Sequence, residues 1–318
     1  MQIDLVDPEL RRNVRRMPRL PIRGRTGRRV VRVLIRLGGR ASKPTTSVEI
    51  RKVNQGQGLR VYVPAGGGSG AGLLWVHGGG YVIGDVAQDD AFCAATAHEL
   101  DIVVVSTNYR LAPDDTFPAA LDDIFEAWQW LQGEAGSLGV EQDRIVLGGQ
   151  SAGGGLAACL AQRVHDGGDV QPVAQWLFAP MLDDRTAARR DLDALHHHVW
   201  SNAANRTGWG AFLGAEPGAE HVPEYAVAAR RADLSGLPPA WISVGEIDLF
   251  ADEDREYAQR LRAAGVECTF DLVPGAPHGF EAWAPDSRPA RELLQRSRSW
   301  LGTRLADSTA SASRPDQA

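Results

Sequence analysis

The sequence predicts an α/β fold in which a mostly parallel sheet is covered on both faces by helices. Three observations predict it. Short β-prone runs alternate with helical segments along most of the 318 residues, the order that βαβ units require. One such run ends on His77-Gly78-Gly79-Gly80. Another leads through Gly149-Gln150-Ser151-Ala152-Gly153 into an alanine-rich helix. Both glycine segments therefore stand at strand ends, where sites form in open α/β sheets.

The elements follow in order. Residues 1–45 read as helical and arginine-rich, with a loop over Gly38–Thr46. Val48–Val53 and Leu59–Val63 flank Gly56-Gln57-Gly58 as a hairpin does. Leu73–Val76 is an apolar strand. Then come a helix over Asp89–Leu100, a strand over Ile102–Ser106, a helix over Ala119–Leu131 and a strand over Arg144–Leu147. Ala152–His165 reads as helix and Val173–Phe178 as strand. Trp241–Val244, Asp252–Ala264 and Val266–Leu272 continue as strand, helix and strand, and Arg291–Leu305 closes as a helix. Roughly 60 residues separate the strand before Ala179 from Trp241, far more than the dozen or so a parallel crossover needs. They read as an insertion, helix-like over Asp191–Leu213 with Trp200, Trp209 and Phe212. The boundaries predicted are an N-terminal segment 1–45, a core 46–306 with its insertion at 183–232, and a disordered tail 307–318 rich in Ser, Ala, Pro and Asp.

Composition excludes several classes. Hydrophobic residues are 43% of the chain, enough for a sizeable core. No apolar run nears the roughly 20 residues of a membrane-spanning helix, and no secretory signal opens the chain. Cys93, Cys159 and Cys268 are few, odd in number and widely spaced. That is the usage of free thiols in a reducing cytoplasm, not of a disulfide or metal framework. The net charge of −6 is uneven. Residues 1–40 hold 12 Arg against 3 acidic residues, a surplus of +9, and the rest of the chain is at −15. Such an arm suits a polyanion or an anionic membrane. Yet Arg28, Arg32, Arg36 and Arg40 recur every four residues, with Val30, Val31, Leu34 and Leu37 on another side. The preferred reading is an amphipathic surface helix with a solvated Arg face, capped by Thr26 and ended by Gly38-Gly39. No nucleic-acid partner, membrane span, metal or cofactor is expected.

Chemistry is carried by four segments. G-x-S-x-G is weak evidence in a chain with 35 Gly, but here it sits between a buried strand and a helix, the setting of a nucleophile elbow. Ser151 is then a nucleophile on a strained turn. The three glycines after His77 let backbone N–H groups converge on a developing oxyanion; the spacing fits no phosphate loop. His77 is expected to support that loop. A serine needs a base, and His278, in a loop past the last strand, is preferred over His196-His197-His198, which point in different directions. Asp248, after the strand Trp241–Val244, is the preferred acid, with Glu246 and Asp252 as alternatives.

With these residues in order the chain resembles the hormone-sensitive-lipase family of esterases over roughly residues 70–285. Tyr109-Arg110-Leu111-Ala112-Pro113, Phe117-Pro118-Ala119-Ala120 and His278-Gly279-Phe280 add to the match. The resemblance implies the α/β-hydrolase fold and an oxyanion hole of the Gly79, Gly80 and Ala152 amides. It also implies a helical cap from residues 1–45 and 183–232, with Trp200 and Trp209 lining the substrate pocket, and a homodimer. The activity implied is hydrolysis of small esters with short to medium acyl chains. A lactone, carbamate or amide hydrolase is the nearer alternative, and a non-catalytic ligand receptor on the same scaffold the more distant one. Gln150 departs from the Asp or Thr usual before the nucleophile, and Leu249 from the Pro common after the acid.

Overall fold

The computed structural model describes residues 2–18, 20–41 and 48–312. Among them eight strands form one sheet: β1 (Val48–Val53), β2 (Leu59–Pro64), β3 (Gly72–Val76), β4 (Val103–Thr107), β5 (Ile145–Gln150), β6 (Gln175–Phe178), β7 (Ala240–Gly245) and β8 (Cys268–Val273). Their order is β1-β2-β4-β3-β5-β6-β7-β8. The hairpin β1–β2 and the pair β2–β4 are antiparallel; every pairing from β4 to β8 is parallel.

The helices are α1 (Arg11–Arg16), α2 (Arg25–Ala41), α3 (Asp90–Leu100), α4 (Ala119–Glu134) and α5 (Ala152–Gly167). They continue as α6 (Asp184–Ala188), α7 (Asn202–Leu213), α8 (Ala251–Ala263), α9 (Phe280–Trp283) and α10 (Arg288–Ala312). The central strands are apolar on both faces because both faces are covered. Leu74 and Val76 point to one side, with buried residues of α4, α5 and α8. Leu73 and Trp75 point to the other, with Cys93, Ala94 and Ala97 of α3 and Leu293 and Leu301 of α10.

The topology positions the site. From β3 the chain crosses through α3 to β4 on one side, then returns through α4 to β5 on the other. Val76 is consequently in register with Thr107 on one flank and Gly149 on the other. This is a topological switch point, where the crossovers diverge and leave a crevice at the strand ends. The two glycine motifs, far apart in sequence, leave adjacent parallel strands side by side.

Three expectations change. The predicted helix over Asp191–Leu213 is split: a 3₁₀ turn covers Arg190–Leu195, and α7 starts anew after Ser201. His196 (φ +47°) and Val199 (φ +67°) break the helical path between them. Ser201 caps α7 by accepting from the Ala204 N–H. At the chain's end, α10 runs to Ala312, because Ala and Ser of 307–312 can extend an established helix at little cost. Residues 313–318 of the predicted tail lie outside the described residues.

The third change concerns α2, which extends past Gly38-Gly39 to Ala41; residues 42–47 of the predicted loop lie outside the described residues. Of the arginines predicted to form a solvated face, Arg28, Arg32 and Arg36 bond to the protein beneath, and the side chain of Arg40 lies outside the described residues. The Arg32 guanidinium donates to the carbonyls of Val82 and Ala112 at 2.9 Å each and pairs with Asp114 at 2.6 Å. Arg28 donates to the carbonyls of Ile22 and Arg23, and Arg36 pairs with Asp85 at 3.0 Å. The helix is turned over relative to the sequence expectation because the surface beneath it supplies carbonyls and carboxylates. Guanidinium groups satisfy these and aliphatic side chains do not.

Candidate active site

Ser151 occupies the turn between β5 and α5 with φ +56° and ψ −122°, a strained conformation for a residue with a Cβ. Its N–H donates to the Phe178 carbonyl at 2.8 Å, and its carbonyl accepts from Gly155 and Met181, so the strain is held from both neighbouring elements. Gly153 shows why the motif needs its second glycine. A Cβ there would lie 2.1 Å from the Val76 carbonyl oxygen and 2.4 Å from that of His77.

The Ser151 hydroxyl lies 2.9 Å from His278 Nε2, and His278 Nδ1 lies 2.8 Å from Asp248 Oδ2. With the ring proton on Nδ1, that N–H donates to Asp248 and Nε2 is free to accept from the serine. Asp248 Oδ1 accepts from the Phe250 N–H at 3.1 Å, which fixes the carboxylate plane. All three side chains belong to buried residues. Burial works against charging His278, but the Asp248 carboxylate outweighs it by charge and hydrogen bond. With a further contribution from Glu281, the imidazole rises above its ordinary 6.5. The edge of Phe250 meets the His278 ring at 5.1 Å, and the Trp283 indole N–H holds the His278 carbonyl at 2.9 Å.

The alternatives for the acid fall elsewhere. Glu246 is exposed and accepts from the Gly275 N–H; Asp252 is exposed and pairs with Arg255.

Gly79 (φ +132°) and Gly80 (φ +57°) turn the loop after β3 towards Ser151, conformations that favour glycine. Ala152 opens α5, where amide dipoles already favour negative charge. Among the described residues, none of the N–H groups of Gly79, Gly80 and Ala152 donates to a protein acceptor.

His77 supports this loop. It is buried, which pushes its imidazole down to about 4 despite the Gly78 carbonyl 2.8 Å from Nδ1. Tyr109 stacks on it at 4.4 Å and donates its hydroxyl to the His77 carbonyl.

Trp200 and Trp209 part company. Trp200 lies over the loop and the base: a Cβ on Gly80 would meet its indole at 2.2 Å, and its ring is 6.4 Å from that of His278. Trp209, expected beside it, is fully buried against Tyr81 and Phe212. Its side of α7 faces the aromatic core, where the larger apolar area is removed from water.

Sequence reasoning did not find the partner of Gln150. Its Nε2 donates to Glu281 Oε1 at 2.5 Å. Glu281 is buried, and burial raises its carboxyl even though the Gln150 hydrogen bond works to lower it. The signal available was the acidic residue three positions after His278. Two further buried acids lie beside Asp248 in sequence. Glu253 accepts from the Leu182 and Asp183 N–H groups, and Asp254 accepts from nothing.

The match to a family model covers residues 73–282 and describes an alpha/beta hydrolase fold. The chain belongs to this family. Within it, relatives and motifs put this α/β-hydrolase with the hormone-sensitive-lipase-type esterases. Carboxylic ester hydrolase LipN of Mycobacterium tuberculosis is 34% identical over 239 residues, 70% of this chain and 60% of that one. The match thus spans under two thirds of the length of LipN. Ethyl acetate hydrolase of Pseudomonas putida is 33% identical over 224 residues, 67% of this chain and 66% of that one. A solved bacterial heroin esterase superposes with a TM-score of 0.88 at 32% identity, covering 96% of this chain and 99% of that one.

Proposed function

We infer that this α/β-hydrolase is a serine carboxylic-ester hydrolase working through an acyl-enzyme on small esters. One observation carries it: the unbroken line Ser151–His278–Asp248, with bonds of 2.9 and 2.8 Å, beside three amides that have no protein acceptor. The same atoms dictate the steps. Ser151 Oγ attacks the ester carbonyl while His278 Nε2 takes its proton. Asp248 keeps the imidazole oriented and stabilises the imidazolium without becoming protonated. The Gly79, Gly80 and Ala152 amides receive the oxyanion. His278 passes the proton to the leaving alkoxide. It then draws a proton from water, which attacks the acyl carbonyl, and returns that proton to Ser151 Oγ as the acid leaves.

We further read residues 1–45 and 183–232 as a cap, with Trp200 as its contribution to the pocket wall. A rigid indole over Gly80 and His278 shortens the space beyond the carbonyl, which favours short to medium acyl chains. Three buried free cysteines fit a reducing cytoplasm.

Ser151→Ala tests the reading. It is expected to abolish the burst of p-nitrophenol from p-nitrophenyl butyrate and the labelling by a fluorophosphonate probe, with folding intact by circular dichroism. Retained hydrolysis would refute the mechanism, and palmitate esters turning over faster than butyrate would refute the short pocket.

A further inference from the structure

The α2 helix presents an apolar stripe to solvent, and the hydrolase reading gives that stripe nothing to do. Val30, Val33, Leu34 and Leu37 are 51%, 56%, 61% and 56% exposed. They follow the i, i+3, i+4, i+7 spacing that places side chains on one side of a helix. They are four of the nine exposed large hydrophobics among the described residues, so the exposure is concentrated here.

The orientation is enforced from below. Arg32 makes three contacts to the Val82 and Ala112 carbonyls and Asp114. Arg36 pairs with Asp85, and Val31 and Ile35 pack on the core. Turning the stripe inward would strip Arg32 and Arg36 of these partners. The stripe therefore faces water because the other side of the helix is committed to the protein.

Charge selects the occupant. Residues 1–40 carry a surplus of nine positive charges, while the rest of the chain is at −15. Arg25 and Arg29 are exposed on α2 itself; by helical spacing Arg29 adjoins Val33 on one flank of the stripe, whereas Arg25 falls on the side of Arg32 and Arg36. A second copy docking α2 against α2 would bring two such arginine-rich segments together, and like charges oppose that contact. A nucleic acid would use the arginines and leave the aliphatic side chains in water. An anionic lipid surface uses both: acyl chains take Val and Leu, and phosphate headgroups take Arg. Among the described residues no helix is long and apolar enough to cross a membrane, so the contact is interfacial.

We propose that the outward face of α2 docks this protein onto anionic lipid surfaces through Val30, Val33, Leu34 and Leu37, with Arg29 at the headgroups. Arg32 ties that face to the loop carrying Gly79 and Gly80, since its Nε holds the Val82 carbonyl. Docking there brings the side of the molecule that bears the oxyanion loop up to the bilayer. The proposal concerns binding and holds whatever reaction Ser151 performs.

The test is co-sedimentation of the purified full chain with vesicles of phosphatidylcholine, with and without phosphatidylglycerol. The protein is expected to pellet with the anionic vesicles at physiological salt and to be released as salt shortens the Debye length from about 8 Å to about 3 Å at 1 M. Leu34→Asp/Leu37→Asp and, separately, Arg29→Glu are each expected to weaken binding by about tenfold or more. Turnover of a soluble short ester without vesicles stays unchanged, which shows that the variants fold. Equal binding to neutral vesicles, no binding to either, or variants that bind like the parent would overturn the proposal. A parent dimer that Leu34→Asp/Leu37→Asp converts to monomer would overturn it too, and make the stripe a self-association face.

Discussion

Replacing Gln150 by Ala removes a hydrogen bond that, beside the one between Ser151 and His278, ties the turn of Ser151 to the segment after His278. Gln150 Nε2 sits 2.5 Å from Glu281 Oε1, and both the donor's neighbour Ser151 and the acceptor's neighbourhood around His278 are buried. A hydrogen bond to a charged group contributes about 1.5–3 kcal/mol. At about 2 °C per kcal/mol for a chain of this size, Gln150→Ala is expected to lower Tm by about 3–6 °C. It also changes titration. Burial already raises the Glu281 carboxyl, and the Gln150 amide opposes that rise. Without the amide the carboxyl rises further, and His278 loses part of an anionic neighbour that holds its imidazole up. The acidic limb of kcat/KM should shift to lower pH. Gln150→Glu sharpens the point, because two buried carboxyls in contact must share a proton. Their raised folded pKa gives stability that is present below the unfolded carboxyl value and lost as pH rises through the folded one. The deficit of Gln150→Glu should therefore grow from about pH 5 to pH 8, and Glu281→Gln in the same chain should remove it by restoring an amide–carboxylate pair. The assays are thermal and urea unfolding with p-nitrophenyl acetate pH profiles. A Gln150→Ala protein within about 0.5 kcal/mol of the parent, with the same acidic limb, would show that the contact holds nothing in place.

Two other perturbations follow from the same neighbourhood. Asp248→Asn removes the charge that keeps the His278 imidazole above 6.5. The expected result is a loss of about 10⁴ in kcat, with the residual activity's acidic limb at lower pH; an unmoved limb would dissociate Asp248 from the base. Asp254 is buried without a hydrogen bond at either oxygen, and burial, aided by the charges of Glu253 and Asp248, holds its carboxyl well above the usual range. The parent should lose stability as pH rises through that raised value. Asp254→Asn should flatten the dependence of Tm between about pH 5 and pH 8, measured by calorimetry, and an equal slope in both proteins would place the titration elsewhere.

What the sequence made legible follows a physical division. Ser151, Asp248 and His278 each stand just past the carboxyl end of a parallel strand, so strand order alone delivers them to one edge of the sheet. The role proposed for Gly79, Gly80 and Ala152 uses backbone N–H groups, whose direction is set by local φ and by a helix start. Neither case depends on a distant side chain. The misread features all do. Gln150 and Glu281 are separated by 131 positions, and no local pattern pairs them. Trp209 lies within α7 and Trp200 just before it, where the predicted helical segment breaks. That segment's break at His196–Val199 has no Gly or Pro to announce it.

The α2 helix is the clearest instance. Its period separates Arg28, Arg32 and Arg36 from Val30, Leu34 and Leu37, although Val31 is buried on the arginine side, and a period has no inside or outside. Burying the aliphatic side would gain area-proportional stabilisation. It would also leave Arg32 and Arg36 without the Val82 and Ala112 carbonyls, Asp114 and Asp85. Those acceptors belong to the β3–β4 crossover (Val82, Asp85) and to the connection from β4 to α4 (Ala112, Asp114), and they decide the orientation. An amphipathic pattern in an arginine-rich helix thus names two faces, and only the chemistry of the surface it meets assigns them. Here that surface is polar, which turns the apolar face outward and gives the lipid-binding test a specific place to look.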